Sequence, residues 1–432
     1  PFYSRSMVYT MPEFLERRYN PQSRTILSVI SLVSYVLTKV AVTVYAGGLV
    51  FQQVFGIKEL WGIDFFWIAA IGLVVLTALY TIFGGMKSVL YTSVLQTPIL
   101  LLGSLIILVL GFKELGGWDE MMRVCGAVTV NDYGDTMTNL IRSNDDANFP
   151  WLGALIGSAI IGFWYWCTDQ FIVQRVLSGK NEKEARRGTI FGAYLKLLPV
   201  FLFLIPGMIA FALHQKYIGA GGEGFLPMLA NGTANADAAF PTLVAKLLPA
   251  GVKGLVVCGI LAALMSSLAS LFNSSAMLFT IDFYKRFRPE TPEKKLVGIG
   301  QIATVVIVIL GILWIPIMRS VGDVLYTYLQ DVQSVLAPGI AAAFLLGICW
   351  KRTSAQGGMW GLIAGMVIGL TRLGAKVYYS NAGEVADSTF KYLFYDMNWL
   401  FFCGWMFLFC IIVVIVVSLA TEAPTAEKIQ GL

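Results

Sequence analysis

Long apolar runs dominate the pattern of hydrophobic and polar positions along this chain. About ten of them are near 20 residues long, enough to span a hydrocarbon core of roughly 30 Å at about 1.5 Å per helical residue. Because lipid offers no water to bond backbone groups, each run is predicted to be a helix. The runs cover residues 26–53, 65–83, 89–111, 151–176, 188–213, 252–282, 297–316, 321–350, 357–378 and 397–420. The pattern predicts an all-α polytopic membrane protein.

The connections between these runs divide by charge, and Lys and Arg collect on the cytoplasmic side of membrane proteins. Basic residues lie in alternate connections, while the remaining connections are longer and more acidic. We therefore expect residues 112–150 and 215–250 to be extracytoplasmic loops and residues 421–432 to be a cytoplasmic tail. Both ends of the chain are expected in the cytoplasm, with residues 1–432 forming a single multi-pass domain in the plasma membrane.

Composition agrees with this class of protein and argues against others. Hydrophobic residues occupy 57% of the 432 positions and charged residues only 13%, far from the usage of soluble domains. The net charge of +5 follows from the basic connections, so it gives no reason to expect a nucleic-acid partner. Six cysteines without a CxxC pair and a single histidine, His214, argue against a disulfide framework, a zinc site or an enzyme. Membrane lipid is the expected surrounding, and the sequence gives no sign of an obligate protein partner.

Three ionisable residues stand out inside the apolar runs, where a charge costs about 2.5 to 3.5 kcal/mol and is kept for pairing or for function. They are Lys39, Asp169 and Lys196. Lys39 and Asp169 are equally consistent with a structural ion pair and with a functional site. Lys196 is consistent with contact to a polar ligand, or with a side chain that extends to the nearby cytoplasmic surface.

Prolines mark candidate helix breaks. Pro199 and Pro206 are expected to interrupt the fifth run, and Pro338 the eighth. Broken helices offer backbone carbonyls and helix ends to ions and solutes at the middle of a membrane. Prolines also occur in unbroken membrane helices, so the breaks alone are weak evidence for a site.

The sixth run contains serines in an otherwise apolar helix. Ala263, Ser266 and Ser267 stand at i, i+3 and i+4, which places them on one face of one turn. Two hydroxyls and a spare carbonyl lone pair supply three neutral oxygens for a small hard cation. The alternative is helix packing, in which serine hydroxyls bond back to the preceding turn.

Several segments make the chain similar to a known family. It resembles the sodium/glucose cotransporters, within the wider sodium/solute symporter family, from Pro1 to about Thr421. The segments that carry the resemblance are TMPEFLERRY, ALYTIFGGMKSVLYT, YWCTDQFIVQRVLSGKN, GAYLKLLPVFLFLIPGM, LAALMSSLASLFNSSAMLFT and LLGICWKRTSAQGGMWGLIAG.

The resemblance implies a fold. Family members have a LeuT-type core of two inverted five-helix repeats with flanking helices. By this likeness the chain starts at the end of the third helix of a typical fourteen, and a helix beyond Leu432 is expected. The first core helix, which in the family contributes two sodium ligands and several sugar contacts, is expected upstream of Pro1, so we expect the 432 residues alone not to transport.

The resemblance also implies Na⁺-coupled symport of a sugar or polyol by alternating access, with Na⁺ as the coupling ion. Other solutes, such as myo-inositol, a sialic acid or an amino acid, and a membrane sensor that binds solute without moving it, remain alternatives. The roles carried over are the following: sodium ligands Ala263, Ser266 and Ser267; solute contacts Lys196, Gln330 and Trp166; inner gate Tyr165; outer gate Tyr326.

One region departs from part of the family. Members that move two sodium ions have an aspartate in a YTD segment, where this chain has Ser93 in YTS. Ala269 replaces a neighbouring hydroxyl residue and leaves Ser270, while Thr43 stands where the sugar branch often has an acid. A second cation in a low-dielectric site needs a carboxylate or a complete oxygen cage. We therefore expect one Na⁺ per solute, the alternative being a weak second ion held by Ser93, Ser270 and water.

Overall fold

Helices make up nearly all the regular structure of the protein. The computed structural model describes residues 3, 8, 10–229, 232–321, 324–381 and 386–429. Residues 230–231 of the predicted second loop and 430–432 of the predicted tail lie outside this described part. The helices up to residue 177 are α1 (Met11–Arg18), α2 (Pro21–Ser34), α3 (Ala41–Phe55), α4 (Phe65–Leu115), α5 (Trp118–Gly126), α6 (Trp151–Phe163) and α7 (Gln170–Leu177).

The remaining helices follow in chain order. They are α8 (Glu182–Leu195), α9 (Ile205–Gly219), α10 (Ala239–Leu247), α11 (Ala250–Met277), α12 (Lys285–Phe287), α13 (Glu293–Val321), α14 (Leu325–Cys349), α15 (Ala355–Asn381), α16 (Thr389–Lys391), α17 (Trp399–Ala420) and α18 (Ala426–Ile429). π-Helical segments lie at Tyr35–Val40, Trp164–Thr168, Val200–Leu204, Leu278–Tyr284 and Tyr392–Asp396, and a 3₁₀ turn at Ala236–Ala238.

Local sequence signals set several helix ends. Thr10 caps α1 by accepting a bond from the Glu13 amide, and Asn20 caps α2 by accepting one from the Ser23 amide. Asp64 caps α4 through the Phe66 amide, and Gly116, with φ 111°, ends that helix in the left-handed region that glycine tolerates. Short polar capping residues and a glycine therefore mark these helix ends in the sequence.

A short hairpin precedes α4. Strands β1 (Glu59–Leu60) and β2 (Ile63–Asp64) pair antiparallel, with Leu60 opposite Ile63. The two turn residues, Trp61 and Gly62, have φ values of 55° and 76°. Two positive φ values in a two-residue loop are typical of the type I′ turn that matches strand twist.

Helix α4 differs from the sequence prediction, which separated runs 65–83 and 89–111. The structure has one continuous helix of 51 residues from Phe65 to Leu115. Gly84 and Gly85 do not end it, because a glycine weakens a helix interior by only about 1 kcal/mol and no proline lies between the two runs.

Within the described residues, nine helical stretches are long and apolar enough to cross a membrane, and the shorter apolar stretch Phe65–Leu79 corresponds to the second predicted run. The polytopic all-α prediction is therefore confirmed. The nine are Pro21–Phe55, Gln96–Leu115, Trp151–Thr168, Glu182–Gly219, Ala250–Phe287, Glu293–Met318, Leu325–Cys349, Ala355–Ser380 and Trp399–Ala420.

The predicted proline breaks have different outcomes. The fifth run is interrupted before Pro199, since α8 ends at Leu195 and Pro199 precedes a π segment. The predicted break at Pro206 is wrong, because the π segment Val200–Leu204 continues directly into α9. The prediction for Pro338 is wrong, because α14 continues through it. Most side chains of α14 are buried, and this packing offsets the roughly 3 kcal/mol that a proline costs inside a helix.

The chain forms two compact units. Unit 1 contains Pro1–Ala41, Asn144–Thr189 and Asn273–Leu432, and unit 2 contains Val42–Ser143 and Ile190–Phe272. In unit 1, α14 packs against α15 and α17. A Cβ atom added to Gly365 of α15 would lie 2.7 Å from Gly339 Cα of α14, so these helices approach as closely as small residues allow.

Unit 2 has its own apolar core. Ile107 of α4, Ile209 of α9, Leu243 of α10 and Val256 of α11 are fully buried in it. The single histidine belongs to this unit, where His214 Nδ1 accepts a 3.0 Å bond from the Leu226 amide. The histidine therefore anchors a loop to the end of α9.

Candidate ion and solute site

A helix break at Asp169 shapes one group of predicted site residues, which lies in unit 1. Helix α6 continues as the π segment Trp164–Thr168, after which Asp169 leaves the helical region with φ −79° and ψ 121°. Its carboxylate then caps α7 by accepting a 3.1 Å bond from the Phe171 amide. An aspartate at this position both permits the break and starts the next helix.

Lys39 and Asp169, singled out separately from the sequence, form an ion pair with each other. Their side chains are 10% and 3% exposed, so the pair is buried. Tyr35 donates a 3.0 Å hydrogen bond to the second carboxylate oxygen. The Lys39 ammonium also lies 4.4 Å from the Phe171 ring centroid and 4.7 Å from that of Tyr35, within cation–π range. The ion pair that the sequence left as one interpretation is therefore present, and a functional role for the two residues stays a prediction.

The two aromatic residues predicted at the inner gate and the solute site come from the same π segment. The Tyr165 and Trp166 rings are 5.1 Å apart and nearly perpendicular. Tyr165 is half-buried beside Lys39, whereas Trp166 is 49% exposed. The π segment therefore turns two neighbouring aromatic faces in different directions. Their roles stay predictions.

The first two turns of α14 carry the predicted outer gate and solute amide. Tyr326 and Gln330 stand one turn apart on this helix. The Tyr326 ring, although 54% exposed, lies 6.4 Å from the ring of Phe149, which in turn meets Trp399 edge-on at 6.3 Å. Phe149 precedes α6, so three segments of unit 1 bring aromatic rings together near Gln330.

A second group of charged side chains, which the sequence did not predict, lies next to Gln330. Asp331 of α14 lies 2.5 Å from Lys376 and 3.6 Å from Arg372, both on α15. The signal was an acid in one apolar run and two basic residues four positions apart in the next. The polar neighbours Gln330 and Gln333 made the acid look like part of a helix end.

Asp282 was missed for a similar reason, since it stands at the end of the sixth run. Its fully buried carboxylate accepts bonds from Thr10 at 3.0 Å and from Arg24 at 2.7 Å. Arg24 also pairs with Glu16 at 2.6 Å. The network joins α1, α2 and the π segment Leu278–Tyr284 of unit 1.

The predicted sodium ligands all lie on α11, in unit 2. Ala263, Ser266 and Ser267 occupy one face of the unbroken part of α11. Ser266 is buried and Ser267 is half-buried. In an α-helix the Ala263 carbonyl accepts one backbone bond, which leaves its second lone pair for an ion.

Ser93 adds a hydroxyl to this group. Its Oγ lies 2.7 Å from the Ser266 Oγ, so α4 and α11 share a hydrogen bond at the predicted sodium site. Ala269 and Ser270 of α11 are fully buried, and Thr43 of α3 is half-buried. Among the described residues, no group of three or more His, Cys, Asp or Glu side chains could hold a metal.

Lys196, the predicted solute lysine, is exposed in the turn that separates α8 from the π segment Val200–Leu204. Its amide donates to the Gly192 carbonyl at 3.0 Å. Lys196 belongs to unit 2, and Gln330 and Trp166 belong to unit 1. Their common role at one solute stays a prediction.

Comparison with known proteins assigns the family. A family model described as the sodium:solute symporter family matches residues 1–365. The chain is 37% identical over 444 aligned positions to the sodium/mannose cotransporter SLC5A10 of Bos taurus, covering 100% of this chain and 73% of that protein. It is 35% identical to sodium/myo-inositol cotransporter 2 of Homo sapiens, with coverage of 100% and 65%. Sodium/glucose cotransporter 1 of Ovis aries is 37% identical, with coverage of 99% and 66%.

The chain therefore spans about two thirds of the length of these relatives. A solved structure of a Na⁺-coupled sialic acid symporter, in a substrate-bound outward-open state, matches with a TM-score of 0.74 at 21% identity. The match covers 98% of this chain and 80% of that one. It confirms the predicted LeuT-type fold. Because the family model covers most of the chain and relatives at 35–37% identity cover nearly all of it, the chain belongs to the sodium:solute symporter family, whose members are transport proteins rather than enzymes.

Proposed function

We propose that the protein moves a sugar or polyol across the plasma membrane by Na⁺-coupled symport, with one Na⁺ for each solute. The observation that carries the proposal is the cluster of serine hydroxyls that α4 and α11 form in unit 2. Ser93 and Ser266 place their oxygens 2.7 Å apart, and Ser267 and the Ala263 carbonyl lie on the same face of α11.

Neutral oxygens suit a transported monovalent cation. Hard cations prefer oxygen ligands, and a cage without a carboxylate holds the ion without trapping it through a full opposite charge. Loading the site with Na⁺ then adds one net charge to a mostly apolar helix environment. This charge is the source of voltage dependence in the proposed cycle.

The solute is proposed to be neutral and rich in hydroxyls. Gln330 offers a donor and an acceptor from one amide, as a polyol requires. Tyr326, Tyr165 and Trp166 provide flat faces of the kind that cover a sugar ring. The relatives named for mannose, myo-inositol and glucose support this class of solute without selecting a member.

One Na⁺ per solute is sufficient to concentrate such a solute. A charge that falls through about 100 mV supplies about 2.3 kcal/mol, and a tenfold Na⁺ gradient adds about 1.4 kcal/mol. Together these terms support roughly 500-fold accumulation. Alternating closure of the outer and inner gates is the proposed means of coupling.

The proposal also places both ends of the chain in the cytoplasm. Cysteines introduced at Asp132 and Glu422 test it, because these residues lie in the predicted outer loop and cytoplasmic tail. A membrane-impermeant thiol reagent applied to intact cells is expected to label the first and spare the second. The reverse labelling pattern would reject the proposed orientation.

Uptake by the full-length protein in proteoliposomes tests the function. Radiolabelled mannose, glucose and myo-inositol are offered under an inward Na⁺ gradient and under a matched choline gradient. We expect at least one to accumulate only with Na⁺, and accumulation to collapse when an ionophore removes the gradient. Solute binding without flux would favour a membrane sensor, and neither binding nor flux would reject this solute class.

A further inference from the structure

One buried carboxylate in unit 1 faces one buried and one partly buried cation. Asp331 of α14 contacts Lys376 at 2.5 Å and Arg372 at 3.6 Å, and its side chain is only 7% exposed. Arg372 is fully buried and Lys376 is 21% exposed. The two cations stand four residues apart, on one face of α15. Asp331 is therefore the group that makes this pair of like charges tolerable.

Arg372 ties the cluster to a third segment. Its guanidinium donates to the Met397 carbonyl at 2.6 Å and to the Leu393 carbonyl at 3.3 Å. Leu393 lies within the π segment Tyr392–Asp396 and Met397 directly follows it, and the carbonyls of so short a segment are otherwise left open. The guanidinium carbon also lies 4.0 Å from the Phe402 ring centroid of α17. These contacts fix the position of the Arg372 guanidinium, which pairs with Asp331.

The cluster stands near the start of α14. Further along this helix, close backbone packing already fixes α14 to α15, since a Cβ at Gly369 would lie 2.4 Å from the Val335 carbonyl. The start of α14 is tied to a different segment, because Tyr328 Oη donates a 2.9 Å bond to the Leu37 carbonyl. The ion pairs of Asp331 therefore add a link between the start of α14 and α15 that the glycine contact does not provide.

We propose that Asp331, held by Arg372 and Lys376, is a positioning residue for solute recognition, which fixes the first two turns of α14 and so aims Gln330 and Tyr326. Gln330 is the preceding residue, about 100° away around the helix. With the Asp331 side chain bound to α15, α14 cannot rotate or fray at this point, and the Gln330 amide keeps one direction. The proposal rests on the proposed function, because it gives Asp331 a role in binding the transported solute.

The test uses the full-length protein in proteoliposomes, with uptake of mannose, glucose and myo-inositol as the readout. Asp331→Asn alone leaves two unpaired cations and is expected to reduce the yield of folded protein. The double variant Asp331→Asn with Lys376→Gln restores the net charge of the wild-type cluster and leaves Arg372 bonded to the Leu393 and Met397 carbonyls, so it is expected to recover part of the yield. Asp331→Glu keeps the charge. Asp387→Asn is the matched control, since Asp387 is 96% exposed and pairs with Lys391 outside the membrane-spanning helices.

The double variant is expected to raise the half-saturation concentration for solute about tenfold, while that for Na⁺ stays within twofold. Asp331→Glu is expected to stay within threefold of the wild type for both, and Asp387→Asn to be unchanged. A folded double variant with wild-type solute affinity would overturn the proposal, since the cluster would then be structural only. If the double variant does not fold, Lys376→Gln alone decides: a threefold loss of solute affinity supports the proposal and an unchanged affinity rejects it.

Amide hydrogen exchange separates this proposal from the proposed function. In the double variant, or in Lys376→Gln if that variant is used, residues 325–333 are expected to exchange about tenfold faster, with no change across residues 340–349. This readout does not need transport. If the wild type shows no Na⁺-driven uptake, the proposed function fails by itself, and unchanged exchange at 325–333 would reject the positioning role independently.

Discussion

The two units differ in the chemistry of their buried polar side chains. Among the described residues, every buried Asp or Arg side chain belongs to unit 1, as does the nearly buried Lys39; the set is Arg18, Lys39, Asp146, Asp169, Asp282, Asp331 and Arg372. The buried polar side chains described in unit 2 are hydroxyls and one imidazole, namely Thr77, Thr81, Ser104, His214, Thr242, Ser266 and Ser270.

The difference indicates a division of roles. A buried charge requires a partner at a fixed place, so ion pairs form a rigid framework. Removing one partner of such a pair strongly destabilises the protein. A hydroxyl can donate or accept and can rotate toward a new partner at small cost. Unit 1 is therefore suited to hold shape, while unit 2 offers neutral oxygens that can exchange a hydrogen bond for an ion.

The largest expected effect breaks a charge pair of unit 1. Asp169→Asn leaves the Lys39 ammonium buried without its counter-charge and is expected to cost about 3 to 5 kcal/mol of stability. Thr77→Val is the matched change in unit 2, where Thr77 donates a 2.7 Å bond to the Leu73 carbonyl. It is expected to cost about 1 kcal/mol. Thermal unfolding of the purified full-length protein measures both.

The double variant Lys39→Met with Asp169→Asn sharpens this result. Because it removes both charges, it is expected to recover most of the stability lost in Asp169→Asn. Equal losses in Asp169→Asn and Thr77→Val would contradict the proposed difference between the two units.

The next effect concerns the hydroxyls of unit 2. Ser266→Ala and Ser267→Ala each remove an oxygen proposed to contact Na⁺, and hydrogen-bond-like contacts to charged groups are worth about 1.5 to 3 kcal/mol. The half-saturation concentration for Na⁺ is expected to rise roughly tenfold to 100-fold. Ser104→Ala is the control, since this buried hydroxyl bonds to the Leu100 carbonyl of its own helix. A rise of similar size in Ser104→Ala would point to general damage.

Solute contacts should give smaller losses. Gln330→Ala and Lys196→Ala each remove hydrogen bonds that are proposed to hold a desolvated neutral ligand and are expected to be worth about 1 to 2 kcal/mol. Isothermal titration of the full-length protein is expected to show weaker solute binding, with Na⁺ binding nearly unchanged. Lys183→Ala, at an exposed position of α8, serves as the control. Unchanged solute affinity in both variants would remove these residues from the pocket.

Contacts between residues that are far apart in the sequence could not be predicted. Lys39 and Asp169 could be found because each is costly inside an apolar run. Their pairing with each other could not be predicted, because 129 residues lie between them and no periodicity links α6 to the helix that contains Lys39. Asp331 and Asp282 were missed because neighbouring polar residues and run ends resemble helix boundaries.

Backbone detail was predictable only in part. The helices followed from run length and the need to satisfy backbone groups in lipid. The break at Pro199 followed from proline chemistry, yet the same reasoning failed at Pro338, where burial of α14 decides the outcome. The π segments, one of which presents Tyr165 and Trp166, leave no pattern that a single sequence reveals. The spacing of Ala263, Ser266 and Ser267 was informative because one helical turn fixes it.

The smallest expected effect is at Ser93, where this chain has a hydroxyl in place of the aspartate found in two-sodium members of the family. Ser93 Oγ bonds to Ser266 Oγ at 2.7 Å, so it supports the proposed sodium ligand directly. Ser93→Ala is expected to weaken Na⁺ binding by about 0.5 to 1 kcal/mol, the net value of one ordinary hydrogen bond. The half-saturation concentration for Na⁺ should rise only about twofold to fivefold.

Stoichiometry gives the sharper test of the same position. With one Na⁺ per solute, a tenfold change in the solute gradient shifts the zero-current voltage by roughly 59 mV, and with two by roughly 30 mV. We expect the larger shift in the wild type, because Ser93 and Ser270 offer no compensating charge to a second cation. Ser93→Asp supplies a carboxylate beside Ser266 and is expected to move the shift toward 30 mV. A wild-type shift near 30 mV would mean that hydroxyls and water alone hold a second ion, and would reject the one-ion proposal.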